Sequence, residues 1–211
     1  MRHDFDEHYW DERWQQTPGT EPGTATTGPN PHLVQEVGGL PPGTALDAGC
    51  GDGGEAIWLA SRGWHVTATD ISAEALARAA DRAAARAAEN GVVQHLQWLR
   101  ADLTVWVPGT QFDLVTTHYA HPSMPQLAFY ERLSGWVAPG GTLLIVGHLH
   151  TAGQGHEPPA EASVTVTDIC AVLDTSRWEV VTAEEHDRTL TAPGGRVVVL
   201  HDVVVRATRR S

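Results

Sequence analysis

The sequence of 211 residues contains no lysine, and all 14 of its basic side chains are arginine. This absence excludes mechanisms that need a lysine amine, including Schiff-base catalysis, a phosphate-binding P-loop and the Tyr-x-x-x-Lys site of some dehydrogenases. Acidic side chains number 26, which gives a formal charge of -12. Because a nucleic-acid binder must neutralise phosphates with cations, we expect no nucleic-acid partner.

Cysteines and long apolar runs are scarce as well. The two cysteines, Cys50 and Cys170, are too few for a disulfide framework, so we expect free thiols in a reducing compartment. No apolar run approaches the roughly 18–20 residues of a membrane span, and no basic-then-apolar leader opens the sequence. We therefore expect a cytoplasmic protein with no membrane partner, built as one domain with a short appendage.

From Thr44 onward, short apolar strands alternate with helical segments along the chain. This alternation is typical of βαβ units, and it predicts an α/β fold whose parallel sheet carries helices on both faces. The last two strands, WEVVTAEE and RVVVLHDVVV, flank Pro193-Gly194-Gly195, so we expect this pair to be antiparallel. In such a sheet ligands bind beyond the carboxyl ends of the strands, and the candidate site residues lie there.

The first predicted strand runs into a glycine-rich turn, L-D-A-G-C-G-D-G-G at residues 46–54. Glycines allow a sharp turn and a close approach of a ligand, and the N–H groups at the following helix start can bind a negative group. Gly49, Gly51 and Gly54 also satisfy the spacing of a dinucleotide-binding loop, so the loop indicates a nucleotide-like cofactor without identifying it. A tight turn without a ligand is the alternative interpretation.

Two aspartates follow the next predicted strands. Asp70 stands 21 residues after Gly49, where its carboxylate can accept both hydroxyls of a ribose; an N-cap for the next helix is the alternative. Ile71 would then lie against an adenine ring. Asp102 ends the third strand, where it can accept from an adenine amino group or stand as a solvated loop residue.

Together these segments resemble the class I S-adenosylmethionine-dependent methyltransferases. The resemblance runs in register from about Leu46 to Gly147: D-A-G-C-G-D-G at 47–53, T-D-I-S at 69–72, A-D-L at 101–103, F-D-L-V at 112–115 and A-P-G-G-T-L at 138–143. It implies a Rossmann-like, mostly parallel seven-stranded sheet in the order 3-2-1-4-5-7-6, with the seventh strand antiparallel. It also implies S-adenosyl-L-methionine as cofactor and S-adenosyl-L-homocysteine as product.

The resemblance assigns cofactor roles to particular residues. Gly49 and Gly51 would face the methionine part of the cofactor, Asp70 would hold the ribose, and Thr117 would lie beneath the sulfonium region. Asp102 and Leu103 would hold the adenine. The full set of cofactor-binding candidates is Trp10, Trp14, Asp47, Gly49, Cys50, Gly51, Asp70, Ile71, Ala101, Asp102, Leu103 and Thr117.

The N-terminal part carries a finer resemblance. Residues 3–16 are predicted to form a short amphipathic helix, and residues 17–31 a loop rich in glycine, proline and threonine. Within the helix, Y-W-D-E-R-W resembles the W-x-x-R-[WFY] segment of bacterial methyltransferases related to the tellurite, thiopurine and halide enzymes. That segment folds over the cofactor, which implies a lid at residues 1–31 and a methyltransferase domain at 32–211. Trp10 and Trp14 share one helix face, and packing on the core is the alternative role.

Histidines follow two central strands. His118 and His121 come after the fourth predicted strand, and His148 and His150 after the fifth. A histidine there can be a general base, can shape the pocket without titrating, or can bind a metal. We expect no metal site, and we prefer His118 and His121 as catalytic base candidates. Tyr119 is a further pocket candidate.

These patterns predict an enzyme that methylates a small molecule through an O, N, S or other soft nucleophile. The protein would mainly bind, orient and exclude water, and a base would help only where the acceptor is a neutral hydroxyl. A nicotinamide-dependent oxidoreductase is one alternative; Asp102, the A-P-G-G-T-L segment and the missing lysine speak against it. A non-catalytic S-adenosylmethionine-binding protein is the other.

Overall fold

A computed structural model describes residues 5–16, 28–90, 95–149, 164–191 and 197–211. Over these ranges the chain forms six helices and seven strands. The strands are β1 Thr44–Ala48, β2 His65–Asp70, β3 Leu96–Arg100, β4 Phe112–His118, β5 Val137–His148, β6 Trp178–Thr191 and β7 Val197–Arg209. The helices are α1 Glu7–Gln16, α2 Pro31–Val37, α3 Gly54–Ser61, α4 Ala73–Asn90, α5 Gln126–Ser134 and α6 Val166–Val172.

The described strands form one sheet in the order β3-β2-β1-β4-β5-β7-β6. The pairs from β3 to β5 are parallel, and β7 runs antiparallel to both β5 and β6. This is the order and direction that the sequence resemblance implies, so the predicted fold class is confirmed. The turn predicted at 193–195 between the last two strands lies outside the described residues.

Helices cover both faces of the sheet, as predicted. On one face α5 and α6 pack on the strands through an apolar cluster that includes Phe129, Leu133, Ile145 and Ile169. On the other face α2 and α3 pack through a second cluster that includes Leu33, Leu59, Val66 and Leu144. No helix in the described ranges is long and apolar enough to cross a membrane.

Three strands are longer than their apolar runs. β5 begins at Val137, because the A-P-G-G segment belongs to the strand and carries a register shift against β4. Gly140 has a φ of 79°, and this bulge lets the strand continue. β6 and β7 also extend beyond the apolar runs that predicted them, because they pair with each other along their whole length.

Helix α1 has no fully buried residue, and it docks on the start of α4 through polar contacts. Asp11 Oδ1 accepts hydrogen bonds from Ser72 Oγ at 2.5 Å and from the Glu74 backbone N–H at 3.4 Å. Ser72 Oγ in turn accepts from the Ala75 N–H at 3.1 Å, so Ser72 caps α4. An ion pair also joins Glu7 to Arg100. These contacts hold α1 beside the carboxyl ends of β2 and β3.

Candidate active site

A cavity of about 350 Å³ opens beyond the carboxyl ends of the central strands. The loops after β1, β2, β3 and β4 line it, together with α1 and the start of α2. Of the residues predicted to form the site, the following line it: Trp10, Trp14, Gly49, Cys50, Gly51, Asp70, Ile71, Ala101, Asp102, Leu103, His118 and His121. Asp47 and Thr117 lie behind this lining.

The glycine loop after β1 takes a backbone path that side chains would disturb. Gly49 has a φ of 78°, and a Cβ placed there would collide with the methyl group of Ala120. Gly51 has a φ of 51°, and its Cβ would come 3.0 Å from Trp14 Cζ2. The loop therefore offers a backbone cradle to the cavity, bounded on one side by α1.

Asp70 joins the ends of β1 and β2. Its Oδ2 accepts a hydrogen bond from the Gly51 N–H and its Oδ1 accepts one from the Ser72 N–H, both at 2.9 Å. Burial raises the pKa of Asp70, while the bonds from the backbone oppose that rise. Each carboxylate oxygen has a second lone pair, so a carboxylate fixed in this way can still accept from the two hydroxyls of a ribose.

Asp102 is also fixed by its neighbours. Its Oδ1 accepts from the Thr104 N–H at 2.9 Å and from Thr104 Oγ1 at 2.7 Å, which forms a turn after β3. Ala101 and Leu103 are buried on either side of it. The arrangement presents a carboxylate between two apolar walls, which suits a flat heterocycle with an exocyclic amine.

Two further carboxylates surround the glycine loop. Asp47 is 1% exposed, and its Oδ2 has no hydrogen-bond partner in the part of the chain that the structure describes. Burial, with the charges of Glu55 and Asp70, raises the pKa of Asp47 well above its usual value. Glu55 lies in the first turn of α3 and lines the cavity. Acidic groups crowded in this way favour a cationic ligand, which fits the ammonium and sulfonium charges of S-adenosylmethionine.

Thr117 and Cys50 have structural contacts. Thr117 is 1% exposed, and its hydroxyl donates to the Ala48 carbonyl at 2.8 Å, which ties β4 to β1 beneath the glycine loop. Cys50 lies in the cavity wall, and burial raises the pKa of its thiol well above the usual value. The thiol therefore stays protonated and is a poor nucleophile.

Helix α1 and Phe5, which precedes it, bring aromatic rings to the cavity. Phe5, Trp10 and Trp14 all line it, with the Phe5 and Trp10 ring centroids 6.1 Å apart. The guanidinium of Arg78 lies 5.9 Å from the Trp14 ring centroid, so Trp14 sits between α4 and the glycine loop. Trp10 and Trp14 line the cavity and belong to neither apolar cluster of the core, and their role over a cofactor stays a prediction. Residues 1–4 and 17–27 of the predicted lid lie outside the described residues.

The two histidines predicted as base candidates face the cavity in different surroundings. His118 Nε2 lies 3.5 Å from Thr116 Oγ1, and its buried Nδ1 has no hydrogen-bond partner among the described residues. Burial lowers the pKa of His118. His121 Nδ1 lies 3.3 Å from the side-chain oxygen of Gln126.

Several lining residues were not predicted from the sequence, among them Asn30, Glu55 and Phe129. Asn30 caps α2 by accepting from the His32 N–H at 2.9 Å, and its own N–H donates to Glu55 Oε1 at 3.0 Å. An asparagine before Pro31 is a recognisable helix start, but nothing in the sequence indicates that it faces a cavity. Phe129 is buried in α5 and lines the cavity, but nothing in the sequence around it indicates a site. For Glu55 the sequence does carry a signal, because it is an acidic residue in the first turn of the helix that follows the glycine loop.

The remaining pocket candidates from the sequence are His148, His150 and Tyr119. His148 ends β5 and is absent from the cavity lining, whereas Tyr119 lines it. His150 lies outside the described residues. Among the described residues there is no group of three or more histidine, cysteine, aspartate or glutamate side chains that could hold a metal ion.

Comparison with known proteins finds methyltransferases that are similar to the central part of the chain. Residues 45–141 match the family model described as a methyltransferase domain. An uncharacterized methyltransferase of Mycobacterium tuberculosis is 42% identical over 111 residues, which cover 51% of this chain and 52% of the relative. The probable thiol methyltransferase 2 of Arabidopsis thaliana is 31% identical over 137 residues, covering 64% of this chain and 58% of the relative.

Solved structures share the whole fold. The magnesium protoporphyrin IX methyltransferase of Synechocystis PCC 6803, solved with bound S-adenosylmethionine, has a TM-score of 0.61 at 19% identity and covers 97% of this chain and 95% of its own. The matched segment spans about half the length of the curated relatives. The family match and the shared fold together confirm the predicted resemblance to class I methyltransferases.

Proposed function

We propose that this class I methyltransferase transfers the methyl group of S-adenosylmethionine to a small-molecule acceptor. The observation that carries the proposal is the cavity itself. The glycine cradle after β1 and the fixed carboxylates of Asp70 and Asp102 line one cavity at the ends of three adjacent parallel strands. An adenosyl compound needs contacts of these three kinds, in this order.

Each part of the cavity has a task in binding. Gly49 and Gly51 let the backbone approach the methionine part, while Glu55 and the buried Asp47 supply negative charge beneath it. Asp70 would accept from the ribose hydroxyls. Asp102, between Ala101 and Leu103, would accept from the adenine amine.

The reaction places few chemical demands on the protein. The bound cofactor supplies a methyl group already activated by a positively charged sulfur, and an acceptor nucleophile displaces it in line. The chain's own residues orient the two reactants and exclude water, and such positioning can lower the barrier by about 7–11 kcal/mol. Phe5, Trp10 and Trp14 provide apolar cover over the cavity, which supports the proposal of a lid.

His118 and His121 are proposed to shape the acceptor end of the cavity. His118 ends β4, His121 lies in the loop that follows, and both line the cavity together with Ser123 and Phe129. The side-chain oxygen of Gln126 holds the His121 ring. Because the Arabidopsis relative is a probable thiol methyltransferase, thiols are the first acceptor class to test.

A two-stage experiment tests this function. Calorimetry should show binding of S-adenosylmethionine and S-adenosylhomocysteine but not of NAD, and the protein should then methylate at least one thiol, phenol or amine. Absence of both heat and thermal shift with the two adenosyl compounds would remove the proposal. Binding of NAD instead would favour an oxidoreductase, and tight cofactor binding without transfer to any acceptor would favour a non-catalytic binding protein.

A pair of glycine variants controls for backbone strain. Gly49→Ala places a Cβ against Ala120 inside the cavity and should abolish cofactor binding. Gly63→Ala is the matched control, because Gly63 also has a positive φ, of 90°, but its Cβ would contact only Pro42, which does not line the cavity. Both variants should lose stability, and only Gly49→Ala should lose the cofactor.

A further inference from the structure

A buried carboxylate with several polar partners lies behind the acceptor end of the cavity. Asp202, in β7, is 0% exposed. Its Oδ1 lies 3.1 Å from His148 Nδ1, and its Oδ2 accepts from Tyr119 Oη at 3.0 Å. His32 Nε2 lies 3.5 Å from the same Oδ2. A charge buried this deeply is stable only with close donors, so these contacts fix the carboxylate.

The pairing determines which nitrogen of His148 carries its proton. His148 and Asp202 stand directly opposite each other in the β5–β7 pairing, so the backbone register brings the two side chains together. Since a carboxylate can only accept, Nδ1 of His148 donates to it, and the lone pair of the neutral ring lies on Nε2. A histidine oriented by a buried carboxylate is an arrangement suited to a general base.

His148 contacts the cavity lining through the aromatic ring of Tyr119. Its imidazole stacks on the ring of Tyr119, with centroids 4.0 Å apart and planes inclined by 17°. Tyr119 lines the cavity, and Asn30 Nδ2 donates to its hydroxyl at 3.0 Å. The His148 side chain is 24% exposed. The imidazole thus stands at the ends of β4 and β5, in contact with one residue of the cavity lining.

We propose that His148, oriented by Asp202, is the general base that takes the proton of the acceptor, and that the acceptor is a neutral hydroxyl or thiol. The inference rests on the proposed function and deepens it. An anionic acceptor would need no base, so a carboxylate–histidine pair beside the cavity has a use only where the nucleophile still carries a proton.

The step balances in atoms and charge. The acceptor atom forms a bond to the methyl carbon while the carbon–sulfur bond breaks, and the electron pair of that bond stays on sulfur. The acceptor proton passes to Nε2 of His148. The resulting imidazolium is stabilised by the carboxylate of Asp202, which remains ionised.

The two histidines of the β4 loop are less suited to this task. His118 faces the hydroxyl of Thr116, and burial lowers its pKa, which makes it a weaker base. His121 faces the neutral amide of Gln126. Within the described ranges, a carboxylate contact that would stabilise the charged form is seen for His148, with Asp202.

Other titratable groups face the pair and enter its pH dependence. His32, from α2, and Tyr119, from the β4 end, both reach Asp202. The ring of His186, from β6, lies 5.0 Å from the ring of His32 and pairs with Glu184 at 2.9 Å. Protonated His32 would compete with His148 for the carboxylate of Asp202. The kinetic test therefore replaces each member of the pair, His148 and Asp202, in turn.

Acceptors of different acidity separate a base from a structural residue. The test compares an aromatic thiol that is already ionised at the assay pH with an alkyl thiol that is still protonated. His148→Gln should lower kcat/KM for the alkyl thiol about 100-fold and lose the acidic limb of its pH profile, while the ionised thiol is affected less than threefold. Asp202→Asn should also lower kcat/KM for the alkyl thiol. The affinity for the cofactor should stay unchanged in both variants. His65→Gln, at the exposed start of β2, is the matched control.

A direct measurement keeps the inference testable without turnover. Nitrogen-15 NMR of the protein with S-adenosylhomocysteine should show His148 protonated on Nδ1 when neutral, and His148→Gln should remove that signal. A ring protonated on Nε2, or equal losses for the two thiols, would overturn the role of His148 while leaving the methyltransferase intact. Failure of the wild-type protein to methylate any acceptor would instead count against the proposed function.

Discussion

The carboxylate of Asp70 accepts a hydrogen bond from the backbone amide of Gly51 at 2.9 Å, across 19 residues of sequence. This bond joins the tip of β2 to the glycine loop after β1. The group proposed to hold the ribose therefore also sets the path of the loop that would hold the methionine part. The Asp70 side chain thus links the two halves of the proposed cofactor site.

Asp70→Ala should weaken binding of S-adenosylmethionine tenfold or more, about 1.4 kcal/mol. The variant loses the ribose acceptor and also frees the Gly51 and Ser72 amides that the carboxylate holds. Isothermal titration calorimetry measures the affinity directly. Unchanged affinity would exclude the ribose role.

Asp113→Ala is the matched control for Asp70→Ala. Asp113 Oδ2 accepts from the Thr44 N–H and from Thr44 Oγ1, both at 2.8 Å. These residues lie at the starts of β4 and β1, at the opposite end of the strands from the cavity. Removing it should cost about 1 kcal/mol of unfolding free energy, typical of lost hydrogen bonds, with cofactor affinity unchanged within twofold. The pair separates loss of a strand-end hydrogen bond from loss of the ligand contact.

The sequence predicted the sheet because each strand carries a local apolar pattern and each turn a local residue type. Strand order followed from the family resemblance rather than from those patterns. The strand-end candidates Gly49, Asp70 and Asp102 could be found for the same reason, since chain position alone puts them at one edge.

The Asp202 cluster could not be predicted in this way. Asp202 lies 54 residues from His148 and 83 from Tyr119, and only the antiparallel register of β7 against β5 brings these residues together. The register depends on which face of β7 is buried, and the V-V-V run around Asp202 gives no alternation from which to read it. Asn30 escaped for a similar reason, because its contact with Tyr119 depends on tertiary packing.

Deletion of residues 1–16 should leave the sheet folded and lower either turnover or cofactor affinity about tenfold, or about 1.4 kcal/mol. Helix α1 buries no residue fully, so the core does not depend on it, whereas Trp10 and Trp14 cover the cavity. Circular dichroism and thermal melting report the fold, and steady-state kinetics report the function. A fully active truncated chain would remove the lid hypothesis.

Two point variants refine the truncation experiment. Asp11→Ala removes the acceptor that docks α1 on Ser72 and should reproduce part of the loss. Glu12→Ala, on the same helix, removes an exposed contact with His8 and should behave as wild type.

Asp47→Asn should raise the free energy of unfolding at pH 7 and weaken cofactor binding. Burial, then the charges of Glu55 and Asp70, raises the pKa of Asp47, so the folded chain binds this proton more tightly than the unfolded chain does. Ionisation therefore costs stability as pH rises above about 4, the ordinary range of an aspartate. Asparagine removes that cost but also removes the charge that a cationic ligand would meet.

Urea unfolding across pH measures the effect of Asp47→Asn. The stability gap between variant and wild type should widen as pH rises from about 4 and should close as the wild-type carboxyl becomes protonated. Asp81→Asn, on the exposed face of α4, should change stability by less than about 0.5 kcal/mol at every pH. A gap that is constant with pH would show that ionisation of Asp47 is not its cause.

His118→Gln should make the protein less sensitive to acid. Burial lowers the pKa of His118, helped by the charge of His32 and opposed by that of Glu55. The folded chain therefore binds this proton less tightly than the unfolded chain, so the wild type loses stability as pH falls below about 6.5. Glutamine cannot take up the proton, so the urea midpoint of the variant should fall less than that of the wild type between about pH 7.5 and pH 5. Equal falls in the two midpoints would show that His118 is already accessible to protons in the folded protein, and its assignment as a neutral wall of the acceptor end would have to be abandoned.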